Sequence, residues 1–235
     1  MQARQDEKAL RGAKLRVMSV TVIEARTTGK AWLDVSRAVL EHGDAATYDG
    51  ESTRELALLT LVVEQPASDD PVVAELGDPA WLAWMHDNFV AHGTVSELGE
   101  ADSYAVRLHD WARTGRDQVA WVVARLRADP KSRSAAITTF QPVTDVTYIP
   151  CISMLDFWLP DGRLELVVYA HSLDFGKKAY GNLVELARLQ EHVAGELDVT
   201  LGRLVIHAKS AHVYEPEWDL MAGLVAAAPP ARPPR

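Results

Sequence analysis

The chain contains one cysteine, Cys151, which follows Pro150 and precedes the β-branched and aromatic run Ile152–Trp158. A thiolate is the most nucleophilic group that a side chain offers, so this position is a candidate for covalent catalysis. A buried free cysteine also behaves as a small hydrophobic residue, and the thiol alone favours that structural interpretation. The role of Cys151 therefore depends on the groups that the fold brings to it.

Two further clusters of polar side chains lie after predicted strands. The motif His171-Ser172-Leu173-Asp174 closely follows the strand predicted for residues 164–169. His212 and Tyr214 are two residues apart after another predicted strand, so both can face one ligand. The alternative, a surface histidine and a packing tyrosine, is equally supported at this point.

A short basic loop and a polar pair complete the candidate groups. Lys131-Ser132-Arg133-Ser134 follows the helix-ending Asp129-Pro130, and a guanidinium there can hold a phosphate. Asp174 and Asn182 can bond the donor and acceptor edges of a heterocycle. The alternatives are a solvated loop, which is favoured for the basic segment on its own, and a turn residue with a helix cap. The histidine spacing indicates no metal site.

The pattern of apolar residues predicts a single α+β domain over residues 15–225. Residues 44–52 and 92–103 are predicted as loops, and residues 1–14 and 226–235 as disordered ends. Predicted strands cover residues 16–25, 56–63, 135–140, 152–158, 164–169 and 202–208. Predicted helices cover residues 31–42, 70–90, 104–111, 117–128 and 181–197.

The composition excludes several functional classes. The net charge is −9 and the pI is about 5.4, which argues against nonspecific electrostatic binding to nucleic acid. One cysteine excludes an intrachain disulfide and a multi-cysteine metal site. No apolar run reaches the ~18 residues of a membrane span. Residues 1–14 lack the apolar core of a signal peptide. We therefore expect a cytoplasmic protein that contacts neither nucleic acid nor membrane.

Taken in order, the motifs resemble the thymidylate synthase family, which includes the pyrimidine-nucleotide hydroxymethylases. The resemblance extends over roughly residues 98–215, and six motifs in order with compatible spacing make it fairly specific. The motifs are Leu98-Gly99 with Tyr104, Asp117-Gln118 leading to Asp129-Pro130-Lys131-Ser132-Arg133, Pro150-Cys151, Tyr169-Ala170-His171-Ser172-Leu173-Asp174, Asn182, and His212-Val213-Tyr214.

The resemblance implies an α+β, thymidylate synthase-like fold, in which a mixed β-sheet and long helices form each subunit. It also implies a homodimer with the sheets packed back to back and the active sites shared. In this family the cysteine adds to C6 of a pyrimidine, and C5 then attacks the one-carbon unit of 5,10-methylenetetrahydrofolate. Hydride subsequently gives a methyl group, whereas water gives a hydroxymethyl group.

The resemblance also assigns roles to individual residues. Asn182 would read the pyrimidine edge, while His212 and Tyr214 would contact the sugar hydroxyl. Arg133 would reach the phosphate across the dimer, beside Ser172 and the neighbouring His171. The catalytic set would be Cys151, Tyr104 and Asp174, with Asp174 and Trp84 on the cofactor side.

Several family features are changed in this chain. His171 and Ser134 stand where arginines are expected, and each hydrogen bond to a charged group contributes roughly 1.5–3 kcal/mol. The family's catalytic glutamate aligns near Trp81, and Glu97 or Glu100 is a candidate replacement. Lys177-Lys178 replaces the usual Leu-Gly, and the two lysines form either a new anion-binding site or a solvated turn. The Pro-rich end lacks the apolar segment that closes over folate, which favours water over hydride as the final reactant.

The leading hypothesis is therefore folate-dependent one-carbon transfer, with hydroxymethylation favoured over methylation. The substrate would be a pyrimidine nucleotide, or a related heterocycle of specialised metabolism such as nucleoside antibiotics. One alternative is a protein of the same fold that binds a ligand without turnover. Another is folate-independent chemistry in which Cys151 adds to an unsaturated substrate.

Overall fold

The computed structural model describes residues 20–48 and 50–228. The segment 1–14 lies outside these residues, as do residues 229–235 of the expected tail. Residues 226 and 227 belong to a helix, so regular structure extends two residues into that predicted tail. No helix within the described ranges is both long and apolar enough to span a membrane.

Strands and helices are interspersed along the chain, and most of the long elements lie where the sequence pattern predicts them. The helices are α1 (Thr28–His42), α2 (Pro71–Leu76), α3 (Pro79–Val90), α4 (Tyr104–His109), α5 (Gln118–Ala128), α6 (Ala179–Leu197) and α7 (Trp218–Ala227). The strands are β1 (Thr21–Thr27), β2 (Asp44–Tyr48), β3 (Glu51–Gln65), β4 (Thr94–Val95), β5 (Ala101–Asp102), β6 (Ala136–Thr138), β7 (Ile152–Trp158), β8 (Arg163–Ala170), β9 (Leu173–Asp174) and β10 (Thr200–Tyr214).

The main sheet is mixed, in the order β1-β3-β10-β8-β7-β6, with β2 beside β3 and β9 beside β10. Strand β10 runs parallel to β8 and β9 but antiparallel to β3. Strands β7 and β8 form the antiparallel hairpin predicted after Cys151. The predicted α+β class with a mixed sheet and long helices is confirmed.

Helices α1 and α6 pack on one face of this sheet, where alternate strand residues are buried. Leu61 of β3, Ile206 of β10 and Val168 of β8 lie in register on that face. The buried Trp32 of α1 donates its indole N–H to the Phe175 carbonyl, 2.9 Å away. This contact fixes the segment that links Asp174 to α6.

The opposite face of the sheet carries a row of exposed side chains. Val22, Thr60, His207, Tyr169 and Met154 are neighbours across five strands. Tyr169 and Met154 are 41% and 43% exposed, unusual values for large apolar side chains at the centre of a sheet.

Three predicted segments differ from the structure. Residues 92–103, predicted as a loop, contain the small antiparallel hairpin of β4 and β5. Residues 44–52 form a hairpin instead of a loop, because Gly50 adopts φ 84 and lets β3 begin at Glu51. The helical region 70–90 is two helices, because Gly77 ends α2 and Pro79 begins α3. Helix α7 was not predicted, since it buries only Met221 and Val225 and shows little polar contrast.

Candidate active site

Cys151 lies directly before β7, and hydrogen bonds fix the backbone on both sides of it. Its carbonyl accepts from the His171 N–H at 3.0 Å, which ties it to the end of β8. The next N–H, of Ile152, donates to the Tyr104 hydroxyl at 3.0 Å. Tyr104 is 5% exposed, so it is a buried support for the thiol segment.

A buried ion pair holds the loop that leads to Cys151. Both terminal nitrogens of Arg107 lie 2.8 Å from the two carboxylate oxygens of Asp145. Arg107 is 2% exposed and also donates to the Thr139 carbonyl. Removing one partner of such a buried pair leaves an uncompensated charge, which typically costs ~3–5 kcal/mol. The pair therefore fixes the path of the chain toward Tyr148.

The Cys151 thiol is partly accessible and lies among ionisable groups. Burial raises the pKa of the thiol, and the negative charge of Asp174 acts in the same direction. The positive charge of Lys178 lowers that pKa, and a hydrogen bond from Tyr148 does so to a smaller extent. Lys178 and Tyr148 therefore favour the reactive thiolate against the effect of burial.

Two of these groups, Asp174 and Lys178, line an open cleft of about 380 Å³, which we call the Lys178 cleft. It is lined by Glu51, Trp81, Asp174, Lys177, Lys178 and Tyr214, among others. The Lys178 ammonium lies 5.5 Å from the Trp81 ring centroid and 5.2 Å from that of Trp84. Both distances are within the range of a cation–π contact.

Asp174 is held in this cleft by the backbone that follows it. One carboxylate oxygen accepts from the N–H groups of Gly176 and Lys177, at 3.0 and 3.2 Å. Burial raises the pKa of Asp174 to about 6, and the nearby Glu217 carboxylate adds to the increase. Asp174 can therefore accept or release a proton near neutral pH.

The structure separates the two candidates for a replacement glutamate. Glu97 is exposed and lies in the field of Lys178, and its pKa is lowered mainly by its own backbone N–H and by the Ser96 hydroxyl, which donates to it at 3.1 Å. Glu100 instead accepts from the Thr94 hydroxyl at 2.6 Å, within the small β4–β5 hairpin. Only Glu97 is thus linked to the residues of the Lys178 cleft.

A second cleft, of about 230 Å³, adjoins the first, and we call it the Ser172 cleft. Its lining includes Thr53, Glu55, His171, Ser172, Lys209 and His212. Burial lowers the pKa of His212 to about 4, and burial followed by the charge of Lys209 lowers that of His171. Both imidazoles are therefore neutral at pH 7, and no arginine is among the described residues that line this cleft.

His212 and Asp174 connect the two clefts, because they are paired in the parallel register of β10 and β9. The His212 and Tyr214 rings are 5.0 Å apart and nearly perpendicular. This pair therefore stands between the clefts, with His212 lining one and Tyr214 lining the other.

Asn182 lies in the first turn of α6, where its N–H donates to the Lys178 carbonyl at 3.0 Å. The residue is 5% exposed, and its side-chain oxygen has no hydrogen-bond partner among the described residues. Buried polar atoms almost always have partners, so this oxygen is suited to a ligand donor or a water.

Arg133 is the predicted site residue that lies apart. It is exposed on the loop after α5, while its neighbour Ser132 is buried and accepts from Arg125 at 3.1 Å. Arg133 makes no ion pair with any residue of the ranges 20–48 and 50–228, and it lines neither cleft.

From the sequence, Lys177 and Lys178 had only a joint interpretation, as an anion site or a solvated turn, and Tyr148 had none. The sequence does not distinguish Lys178 from the adjacent Lys177. The three-residue spacing of Trp81 and Trp84 on α3 does place both indoles on one helix face, where they can contact a cation. Tyr148 lies in an irregular loop without periodicity, so the sequence pattern does not predict that its hydroxyl lies near the Cys151 thiol.

The sequence model of the thymidylate synthase family matches residues 63–234. A protein of Methanosarcina acetivorans named "Putative thymidylate synthase" is 32% identical over 210 residues, 87% of this chain and 94% of that relative. A relative of the same name from Methanothermobacter marburgensis is 37% identical over 201 residues, 79% and 89% of the two chains. A Paramecium tetraurelia bifunctional dihydrofolate reductase-thymidylate synthase is 29% identical over 107 residues, 45% of this chain and 23% of that protein. The chain belongs to the thymidylate synthase family.

Proposed function

We propose that this protein transfers a one-carbon unit to C5 of a pyrimidine nucleotide or a related heterocycle, through an adduct between Cys151 and C6. The observation that carries the proposal is the environment of the single thiol. The Tyr104 hydroxyl fixes the backbone after Cys151, and Lys178 and Tyr148 both lower the pKa of the thiol against the effect of burial. The unpaired oxygen of Asn182, one turn into α6, supplies an acceptor suited to a pyrimidine N–H.

The Lys178 cleft fits the carbon donor that the family uses, 5,10-methylenetetrahydrofolate. A pterin is a flat heterocycle with several N–H donors, and the cleft offers the indole of Trp81, with Trp84 packed against it, and a carboxyl group with a pKa of about 6. Asp174 and Trp84 are the residues that would hold it, by hydrogen bonding and by ring contact. When bound, this cofactor supplies carbon at the oxidation level of formaldehyde.

The protein's own side chains form the covalent bond, transfer protons and hold the substrate. Cys151 forms the bond to C6 and is later released as a thiolate. Glu97 takes the place of the family's catalytic glutamate and moves protons at the pyrimidine, and Asp174 exchanges a proton near pH 6. Tyr104 keeps the thiol segment in place, and the neutral His212 with Tyr214 bonds a sugar hydroxyl.

Hydroxymethylation is the proposed outcome in preference to reductive methylation. The Lys178 cleft is open, and charged groups such as Glu51 and Lys177 line it together with Asp174. Water can therefore reach a carbon that becomes electrophilic there. A methyl transfer by hydride would require that water to be excluded.

We also propose a homodimer built on the exposed row of the main sheet. Met154, Tyr169 and Trp158 are 43%, 41% and 47% exposed on one face, an apolar surface that monomers rarely leave open. Back-to-back packing of two such faces would bring Arg133 of one subunit toward the Ser172 cleft of the other. Light scattering should give twice the chain mass, and Met154→Lys should shift it to the monomer mass. The control is Trp121→Lys, which changes an exposed side chain on α5 outside the sheet.

The reaction is tested by incubating the protein with 5,10-methylenetetrahydrofolate and uridine or cytidine substrates, each with and without a 5′-phosphate. Exact mass distinguishes a hydroxymethyl product from a methyl product. Cys151→Ala should abolish turnover, and full turnover of that variant would refute the mechanism.

A second candidate is a ligand-binding protein without turnover, which is favoured because none of the described residues lining the Ser172 cleft is an arginine. Calorimetry that detects nucleotide binding, together with no product from any of these substrates, would support it. Product formed without folate would instead favour folate-independent addition by Cys151.

A further inference from the structure

The two adjacent lysines that replace the family's Leu-Gly have different surroundings. The Lys177 ammonium lies 2.6 Å from a carboxylate oxygen of Glu217, which is largely buried and neutralises it. Lys178 has no such partner among the described residues, and its ammonium lies over the faces of Trp81 and Trp84. The uncompensated charge of the pair is therefore on Lys178.

Three acidic groups from separate segments share the field of Lys178. Cys151 precedes β7, Asp174 ends β9, and Glu97 lies in the turn between β4 and β5. The positive charge of Lys178 lowers the pKa of each of them. The indole faces place the ammonium between these segments, because each ring attracts a cation to its face.

The other titratable groups around the thiol cannot supply a cation. Tyr104 and Tyr148 have raised pKa values, chiefly through burial, and remain neutral. Asp174 is negative when ionised and therefore opposes the thiolate. Arg107 is occupied by Asp145 and faces the loop instead. Among the described residues, Lys178 is the cation whose charge contributes most to lowering the pKa of Cys151.

We propose that Lys178, fixed on the Trp81 and Trp84 rings, is the positioning residue that sustains the Cys151 thiolate in place of an arginine. The inference rests on the proposed function of Cys151 as the nucleophile. The same inference explains the position of Trp81 and Trp84, since their rings restrain the flexible side chain of Lys178. An ammonium restrained in this way loses less side-chain freedom when the thiolate forms.

The single cysteine makes the inference directly measurable, because alkylation by iodoacetamide reports Cys151 alone. The rate of alkylation as a function of pH gives the thiol pKa without substrate or cofactor. Lys178→Met keeps an unbranched stem on the indoles and removes the charge. We expect its alkylation rate at neutral pH to fall about tenfold, equivalent to a pKa increase of about one unit.

Two further variants separate charge from structure. Lys178→Arg should restore most of the rate, because a guanidinium keeps the charge and stacks on aromatic faces. Lys209→Met removes a charge of the same sign from the Ser172 cleft and should leave the thiol titration unchanged. Circular dichroism and thermal unfolding establish that each variant is folded. If Lys178→Met misfolds, Lys178→Gln gives the same comparison.

A thiol titration of Lys178→Met or Lys178→Gln that matches the wild type would overturn the inference. So would an equal decrease in Lys209→Met. These outcomes differ from a failure of the proposed function, which would be turnover in Cys151→Ala. The thiol can depend on Lys178 whatever the substrate proves to be, so the two results are read independently.

Discussion

The Lys178 cleft and the Ser172 cleft meet at His212 and Asp174 but differ in their charges. The first combines a cation on two indoles with a carboxyl group of raised pKa beside the thiol. Among the described residues, the second offers hydroxyl groups, two neutral imidazoles, the ammonium of Lys209 and the carboxylate of Glu55. Under the proposed function, the side that forms the covalent bond has a cation from its own chain, Lys178, whereas the side expected to hold an anion has no arginine among the described residues.

Under the proposed function, the chain uses a thiol for covalent chemistry but recognises the substrate's anion differently from the family pattern. A guanidinium from a second subunit, or a substrate with less negative charge, would each fit the Ser172 cleft. Variants of residues in or near each cleft distinguish a role in bond formation and proton transfer from a role in binding the substrate's anion.

The largest effect is expected from Glu97→Gln, which removes a proton-transfer group beside the Lys178 cleft. General acid–base catalysis typically contributes 10²–10⁴-fold, so kcat should fall by about that factor. Glu100→Gln is the matched control, because Glu100 is bonded to Thr94 within its own hairpin and should give near wild-type kcat. Steady-state kinetics of both variants provide the measurement. A loss confined to Glu100→Gln would reverse the assignment.

Asp174 and His212 should give opposite pH dependences of stability. Burial raises the pKa of Asp174 from 3.8 to about 6 and lowers that of His212 from 6.5 to about 4. The stability contributed by Asp174 is complete below its unfolded pKa and is lost as pH rises through 6. The stability contributed by His212 is complete above its unfolded pKa and is lost as pH falls through 4. In the wild type the two slopes largely cancel between these values.

Single substitutions should reveal each slope. Asp174→Asn should make the free energy of unfolding rise with pH between about 4 and 6.5, by up to about 3 kcal/mol. His212→Asn should make it fall over the same interval by a similar amount. Urea unfolding at several pH values measures both. Parallel slopes in the two variants would contradict these assignments.

Much of this arrangement was predictable from the sequence. The hairpin after Cys151 and the helices around residues 117–128 and 181–197 follow from periodicity, because each buries a regular apolar face. The 44–52 hairpin was missed because β2 is largely exposed and lacks that contrast. The division of roles between Lys177 and Lys178 was also beyond the sequence, since it depends on Glu217 and Trp84, residues distant in the chain.

Arg133→Ala tests whether the Ser172 cleft is completed by a partner subunit. Each hydrogen bond to a charged group contributes roughly 1.5–3 kcal/mol, so kcat/KM for a monophosphate should fall by roughly ten- to a hundredfold. The value for the corresponding nucleoside should not change, and neither should stability, because Arg133 is exposed. Lys131→Ala in the same loop is the control. Equal losses for nucleoside and nucleotide would exclude a phosphate role.

The smallest effect is expected from Tyr148→Phe, which removes the hydroxyl that hydrogen-bonds the thiol. A neutral hydrogen bond contributes ~0.5–1.5 kcal/mol, so alkylation of Cys151 at neutral pH should slow a few-fold to tenfold. Tyr104→Phe is the informative comparison, because its hydroxyl accepts from the Ile152 N–H and supports the backbone. That variant should lose ~1–3 kcal/mol of stability by leaving a buried donor unpaired. If Tyr148→Phe instead lost stability and kept the thiol titration, Tyr148 would hold the loop, and Lys178 would be the main influence favouring the thiolate.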